Sequence, residues 1–309
     1  MSSYRYTLLV GCIATLILAV GVSIKIVMII QDGKITAPPI FNVVTQLVPD
    51  QSFFSWNNIN TQSAKEVTEK TITARAYIVG NINTGQVYTQ LNATKALPVA
   101  SMSKLITALT ALDEYKLDTK ITITPEEVNV PADGSHLQAG ETFTVGELMY
   151  PLLLDSSNVA AEALASSTDR KKFLTLMSGY AWEVSMPSSY FADPSGLDSQ
   201  NRASAKDLFT LAQYLTKYRP DILAITKTIK IATATTTEHG SHVFASIHPF
   251  VNDPNFLGGK TGHTTAAGDT MLTMININGQ SIAVVILGAD SGSRESDTRL
   301  LMAKVSQLI

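Results

Sequence analysis

Strand-forming segments lie at both ends of the foldable part of this chain and helical segments lie between them, which leaves few architectures open. Ala74-Arg75-Ala76-Tyr77-Ile78-Val79 reads as a strand, Asn83-Thr84-Gly85 as a hairpin turn and Gln86-Val87-Tyr88 as the return. Alternation of β-branched residues comes back from Ile229. Lys260-Thr261-Gly262 opens a strand region running to Met274-Ile275, and residues 281–287 make an apolar strand after the Asn278-Gly279 turn. An opening hairpin and a closing meander can join into one antiparallel sheet, with the helical block beside it.

The helical block has readable starts and stops. Leu105-Ile106-Thr107-Ala108-Leu109-Thr110-Ala111-Leu112 is apolar at helical spacing and follows the extended Ala96-Leu97-Pro98-Val99-Ala100. A helix therefore starts at Ser101 and runs to about Glu114. Residues 145–154 are helical and apolar, break at Asp155-Ser156-Ser157-Asn158, and resume as a helix at Val159. Residues 204–218 form another helix with Asp207 in its first turn, and residues 293–309 a terminal amphipathic one.

Residues 7–24 (TLLVGCIATLILAVGVSI) carry no charge. As a helix they span about 27 Å, close to the thickness of a bilayer's hydrocarbon core. Lys25 interrupts before Ile26-Val27-Met28-Ile29-Ile30, and its amine can snorkel to the headgroups. Residues 1–6 read as a short cytoplasmic segment, 7–30 as a transmembrane signal-anchor, 31–71 as a flexible linker and 72–309 as the folded domain. A cleaved signal peptide and a lipoprotein signal are the alternatives. No small-x-small cleavage site follows the apolar run, and the run before Cys12 is too short for a lipoprotein box. Charge does not orient the segment, because Arg5 lies on one side and Lys25 and Lys34 on the other.

The formal net charge is -3, and no basic tract interleaves with aromatics, which argues against nucleic-acid binding. Five histidines and one cysteine show no metal-ligand spacing, so neither a metal nor another cofactor is expected.

Three short stretches carry chemistry. Ser101-Met102-Ser103-Lys104 puts a hydroxyl and an amine on one helix face, at a helix start whose free N–H groups favour negative charge. That describes a serine with a built-in base; the plain alternative is an N-cap followed by a chance lysine. Ser156-Ser157-Asn158 can point a hydroxyl and an amide into a cleft, and either serine can instead cap the next helix. Gly258-Gly259-Lys260-Thr261-Gly262-His263-Thr264 lets a ligand approach the backbone closely, and Lys260 and Thr261 can hold a carboxylate. Its plain alternative is a Gly-rich hairpin with a solvated lysine. A lysine base must be neutral, and its ordinary pKa is about 10.4. Burial and a second ammonium both lower that value, and Lys260 could be the second cation. A shift of about 3 units takes about 4 kcal/mol from the environment. No G-x-S-x-G elbow is present, which weakens a histidine-dependent serine hydrolase.

S-x-x-K, S-x-N and K-T-G in this order resemble the motif set of the penicillin-recognising serine enzymes, the penicillin-binding proteins and serine β-lactamases. Over residues 72–309 the chain resembles the low-molecular-weight D-alanyl-D-alanine carboxypeptidases of peptidase family S11. Ala100-Ser101-Met102-Ser103-Lys104-Leu105-Ile106-Thr107-Ala108 looks like that branch's nucleophile helix, and Leu152-Leu153-Leu154-Asp155-Ser156-Ser157-Asn158-Val159-Ala160-Ala161 like its second-motif segment. Asp193-Pro194-Ser195-Gly196-Leu197, Asn201 and Ser204-Ala205-Lys206-Asp207-Leu208 resemble the stretch that follows. Gly259-Lys260-Thr261-Gly262-His263-Thr264, with Ala267-Gly268, is similar to the strand motif.

The resemblance implies an α+β, αβα fold of the β-lactamase/transpeptidase type. Its five-stranded antiparallel sheet would be formed by N- and C-terminal strands, covered by helices, with an all-helical subdomain. It implies that Ser101 attacks the carbonyl between two D-alanines, with Lys104 as general base. Ser156 would relay a proton to the leaving amine, and Asn158 would orient substrate and Lys104. Lys260 and Thr261 would hold the terminal carboxylate on a strand continued by Gly262 and His263. The backbone N–H groups of Ser101 and His263 would form the oxyanion hole. The implied partners are peptidoglycan stem peptides, β-lactam antibiotics and, through the anchor, the membrane. The implied place is the bacterial cytoplasmic membrane, with the domain extracellular or periplasmic.

The expected activity is removal of the terminal D-alanine from stem pentapeptides. The alternative is a D,D-endopeptidase that cuts cross-links, because one helix after the last strand and an anchor at the front are similar to that branch's endopeptidase-like members. A β-lactamase is disfavoured because Tyr190-Phe191-Ala192-Asp193-Pro194-Ser195-Gly196 offers no deacylating Glu. A non-catalytic penicillin sensor is disfavoured because every motif residue is present.

Overall fold

The computed structural model describes residues 72–131 and 134–309, together with two short strands near the N-terminus. Those strands, Ile29–Gln31 and Lys34–Thr36, pair antiparallel with Ile30 opposite Ile35. The rest of the expected anchor and linker lies outside the described residues. No helix among the described residues is long and apolar enough to cross a membrane.

Five antiparallel strands form the central sheet, in the spatial order Phe256–Thr264, Gly268–Ile277, Gln280–Ala289, Ala76–Asn81 and Val87–Leu91. The last three strands of the chain thus join its opening hairpin, with Ile78 opposite Val285 and Val79 opposite Val284. Side chains alternate along a strand. Ala76 and Ile78 enter a core shared with Leu105, Leu109 and Phe209 from the helical block. Tyr77 and Val79 enter a second core with Val284, Ile286, Leu301 and Val305, beneath the terminal helix Arg294–Ser306. Helices on both faces make this an αβα fold. A strand buried on both faces reads as a nearly continuous apolar run. Each large apolar side chain buried this way contributes about 1.5–3 kcal/mol.

The helix starts follow from their caps. Ser204 Oγ accepts from the Asp207 N–H at 3.0 Å, and Asp207 Oδ2 accepts from the Ser204 N–H at 3.2 Å, which starts Ala205–Tyr218. Thr144 and Glu147 make the same reciprocal pair ahead of Val145–Tyr150. The helix Arg170–Glu183 goes beyond the elements expected from sequence. It buries only Phe173, Met177 and Ala181, a stripe too thin to stand out among its polar neighbours. Lys260-Thr261-Gly262 sits inside the strand Phe256–Thr264, not at its opening. Gly258-Gly259 hide the earlier part, because glycine carries no strand preference and marks a register shift between Phe256 and Gly258.

His248 fastens the segment that leads into this strand. Its Nε2 donates to the Leu272 carbonyl at 3.0 Å, and its Nδ1 accepts from the Phe250 N–H at 3.3 Å. Both contacts together require the neutral ring. Burial, reinforced by Lys260 and Arg294, pushes its pKa from 6.5 down to about 3. Between those values the unfolded chain binds a proton that the folded chain does not, so stability falls as pH drops through that window. His248→Gln should reduce this pH dependence. Urea unfolding of both proteins at about pH 7 and about pH 4.5 measures it. An equal acid loss in both would show that another group is responsible.

Candidate active site

The Ser101 turn is built from an unusual start. Ala100–Ser103 is a 3-10 turn that runs into the helix Lys104–Glu114, and no side chain caps it. Ser101 is thus not an N-cap. Its N–H falls in the first turn, where no helical acceptor exists. Thr270 Oγ1 donates to the Val99 carbonyl at 3.0 Å and ties this start to the sheet.

Lys104 is fully buried, with its Nζ 3.0 Å from Ser101 Oγ. The same Nζ donates to Asn158 Oδ1 at 2.7 Å and to the Ser195 carbonyl at 2.6 Å. Asn158 is held in that orientation by its Nδ2, which donates to the Pro131 carbonyl at 2.9 Å. Both oxygens can only accept. A neutral amine has two N–H bonds and one lone pair, so serving both oxygens leaves the lone pair for the Ser101 hydroxyl proton.

The Ser195 carbonyl is held in place by a buried turn. Asp193 Oδ1 accepts from the Ser195 N–H at 2.6 Å, the Ser195 hydroxyl at 2.7 Å and the Gly196 N–H at 2.6 Å. Asn201 Oδ1 accepts from the N–H groups of Ala192 and Asp193, and its Nδ2 donates to Ser103 Oγ and the Asp193 carbonyl. Thr107 Oγ1 donates to the Pro194 carbonyl at 2.6 Å. The turn is therefore bolted to the helix that carries Lys104.

The second motif divides its two serines. The helix Val145–Tyr150 passes into a π-helical turn, Pro151–Asp155, that ends with Ser156 in the left-handed region at φ 62. Such a conformation costs about 1–3 kcal/mol outside glycine. Ser157 caps the helix Asn158–Ser166, its Oγ accepting from the Ala160 N–H at 3.0 Å. Ser156 is released from that duty, and its Oγ accepts from Lys260 Nζ at 2.8 Å. Capping and cleft-facing roles both occur, one on each serine.

Lys260 is also buried, and its Nζ donates to the Thr261 carbonyl at 2.9 Å. Burial, then the nearby Lys104 and Arg294, holds its pKa well below the ordinary lysine range. Two amines in one dry site do not both carry charge cheaply. A bound carboxylate would offset this and favour the ammonium. Thr261 is buried beside it. A Cβ on Gly262 would lie 2.9 Å from the Ser101 N, so only glycine lets the strand come this close to the helix start. The His263 ring bonds Asp269 Oδ1 through Nδ1 at 2.7 Å. The group beside the Ser101 hydroxyl is an amine, not an imidazole.

All eight residues expected from sequence thus lie on three adjoining stretches of chain, 101–104, 156–158 and 260–263. Arg294 was beyond the motifs. Its Nη1 donates to the Gly262 carbonyl at 3.3 Å and lies 4.0 Å from Asp269 Oδ1. An arginine at a helix start opposes the helix dipole, a signal that another contact holds it there. Among the described residues, no group of three or more His, Cys, Asp and Glu side chains is arranged to hold a metal ion.

A family model described as D-alanyl-D-alanine carboxypeptidase matches residues 61–291. A D-alanyl-D-alanine carboxypeptidase of Mycobacterium tuberculosis is 24% identical, covering 75% of this chain and 80% of that protein. A D-alanyl-D-alanine endopeptidase of Escherichia coli is 28% identical, covering 74% of this chain and 76% of that one. The crystal structure of the Streptomyces K15 DD-transpeptidase superposes with a TM-score of 0.71 at 26% identity, covering 79% of this chain and 100% of that one.

Asn201→Ala strands four partners around the Asp193 turn. A loss of more than about 2 kcal/mol is expected, read from the urea midpoint. An unchanged midpoint would mean that this amide does not hold the turn.

Proposed function

The chain belongs to the D-alanyl-D-alanine carboxypeptidase family of serine peptidases, and from that premise we propose that it removes the terminal D-alanine of peptidoglycan stem pentapeptides through an acyl-enzyme on Ser101. One observation carries this reading: the buried Lys104 amine, 3.0 Å from Ser101 Oγ, with two obligate acceptors on its other side.

Lys104 takes the Ser101 hydroxyl proton as Oγ attacks the carbonyl carbon. The oxyanion develops between the N–H groups of Ser101 and His263. Loss of one such donor typically costs about 10²–10³ in rate. Ser156 passes the proton to the departing amine, and D-alanine leaves. Asn158 keeps Lys104 oriented. Lys260 and Thr261 receive the substrate's terminal carboxylate, and Arg294 adds positive charge beside Gly262. Water then hydrolyses the Ser101 ester. A penicillin enters the same site and leaves a longer-lived ester.

A D,D-endopeptidase that cuts cross-links is the second reading, supported by the relative of that name above. In either case the substrate lies outside the cytoplasmic membrane. Residues 7–30 would serve as the single-pass anchor and residues 31–71 as the tether to the domain at 72–309. The uncharged run at 7–24 supports that arrangement.

Fluorescent penicillin should label the full chain in detergent, and Ser101→Ala should abolish the label. Lys104→Ala should slow labelling by at least about a hundredfold with its circular dichroism unchanged. No label on the parent protein would overturn the acyl-enzyme. Free D-alanine from a pentapeptide is expected; cleavage of cross-linked dimers alone would replace the carboxypeptidase with the endopeptidase.

A further inference from the structure

At the C-terminal end of the strand Phe256–Thr264 lies a recess of about 460 Å³ lined by His263, Thr264, Ala266, Arg75, Asp290 and others. Its lining is about half polar and half apolar, and His263 is common to it and to the site above. Arg75 sits at its wall. The guanidinium Nη2 donates to the Ala267 carbonyl at 3.2 Å, and Arg75 forms no ion pair among the described residues. Gly288 makes room for it, since a Cβ there would stand 2.2 Å from Arg75 Nε. Asp290 supplies the opposite charge in the same recess.

The direction of a bound peptide follows from the mechanism, and this inference rests on that reading. The leaving carboxylate lies at Lys260 and Thr261, and the attacked carbonyl lies by Gly262 and Ser101. The acyl half therefore continues past His263 towards Thr264, the last residue of the strand. An extended peptide advances about 3.3 Å per residue. The residue just before the acylated D-alanine then lies over His263 and Thr264, at the mouth of the recess.

We propose that this recess is the subsite for that residue's side chain, and that it selects one ending in a free carboxylate and a free ammonium, the carboxylate on Arg75 and the ammonium towards Asp290. A charge-assisted hydrogen bond of ordinary strength corresponds to about tenfold in affinity.

The test uses the full chain and two peptides that differ only there, one with meso-diaminopimelate and one with L-lysine, each as pentapeptide and as cross-linked dimer. The parent enzyme should favour the diaminopimelate peptide by about tenfold in kcat/KM. Arg75→Gln should remove that preference while leaving the lysine peptide and penicillin labelling of Ser101 unchanged. Arg75→Lys should keep part of it. Equal turnover of both peptides by the parent enzyme overturns the proposal. So does an equal loss on both peptides in Arg75→Gln, which would mark Arg75 as a prop for the Ala266-Ala267 turn. Failure of penicillin to label the parent enzyme would instead strike the acyl-enzyme reading.

Discussion

A lysine amine held in a dry pocket between Asn158 Oδ1, the Ser195 carbonyl and the Ser101 hydroxyl is the constraint that the rest of the molecule serves. An amine without solvent is costly unless every hydrogen bond is supplied. Each partner comes from a different part of the chain, so the pocket exists only when the fold is complete. Asn158 opens a helix that Ser157 caps. Ser195 sits in a turn organised by Asp193 and Asn201. Ser101 depends on a 3-10 start that the sheet holds through Thr270. The helical block and the sheet meet there, and neither could position the amine alone.

A second buried amine makes the arrangement chemical and not merely structural. Lys260 answers to burial, to Lys104 and to Arg294, all of which disfavour its charge. A carboxylate ligand reverses that balance, which couples substrate capture to the charge state of the site. In the proposed mechanism the substrate's own terminal group completes the electrostatics. That offers a physical reason for a preference for peptides with a free carboxylate next to the scissile bond.

Much of this was legible in the sequence. Period-two runs at both ends and period-3.6 runs between them predict the sheet and its helical partner, because burial on one or two faces writes itself into residue spacing. Ser101 and Lys104 are legible because helix geometry alone puts residues three apart on one face. From their local pattern alone Ser156 and Ser157 are legible only as a pair, and it is the S-x-N match that picks out Ser156. Which serine caps and which faces the cleft depends on the π-helical turn at Pro151–Asp155, a backbone detail without a side-chain signature. The Ser195 carbonyl left no trace, since every residue has one. Arg294 contacts Gly262 from 32 positions away, a distance that no local pattern bridges. The front of the edge strand was masked by Gly258-Gly259, whose role lies in close approach and not in strand preference.

The pH dependence of Ser101 acylation by a penicillin tests the central claim most directly. A Lys104 that acts as the base must be neutral, and the acylation rate is then expected to reach its plateau near neutral pH, well below the ordinary lysine range of about 10.4. A rate that climbs about tenfold per pH unit until that range is reached would contradict it, because Lys104 would then be an ordinary ammonium that must first be stripped of its proton.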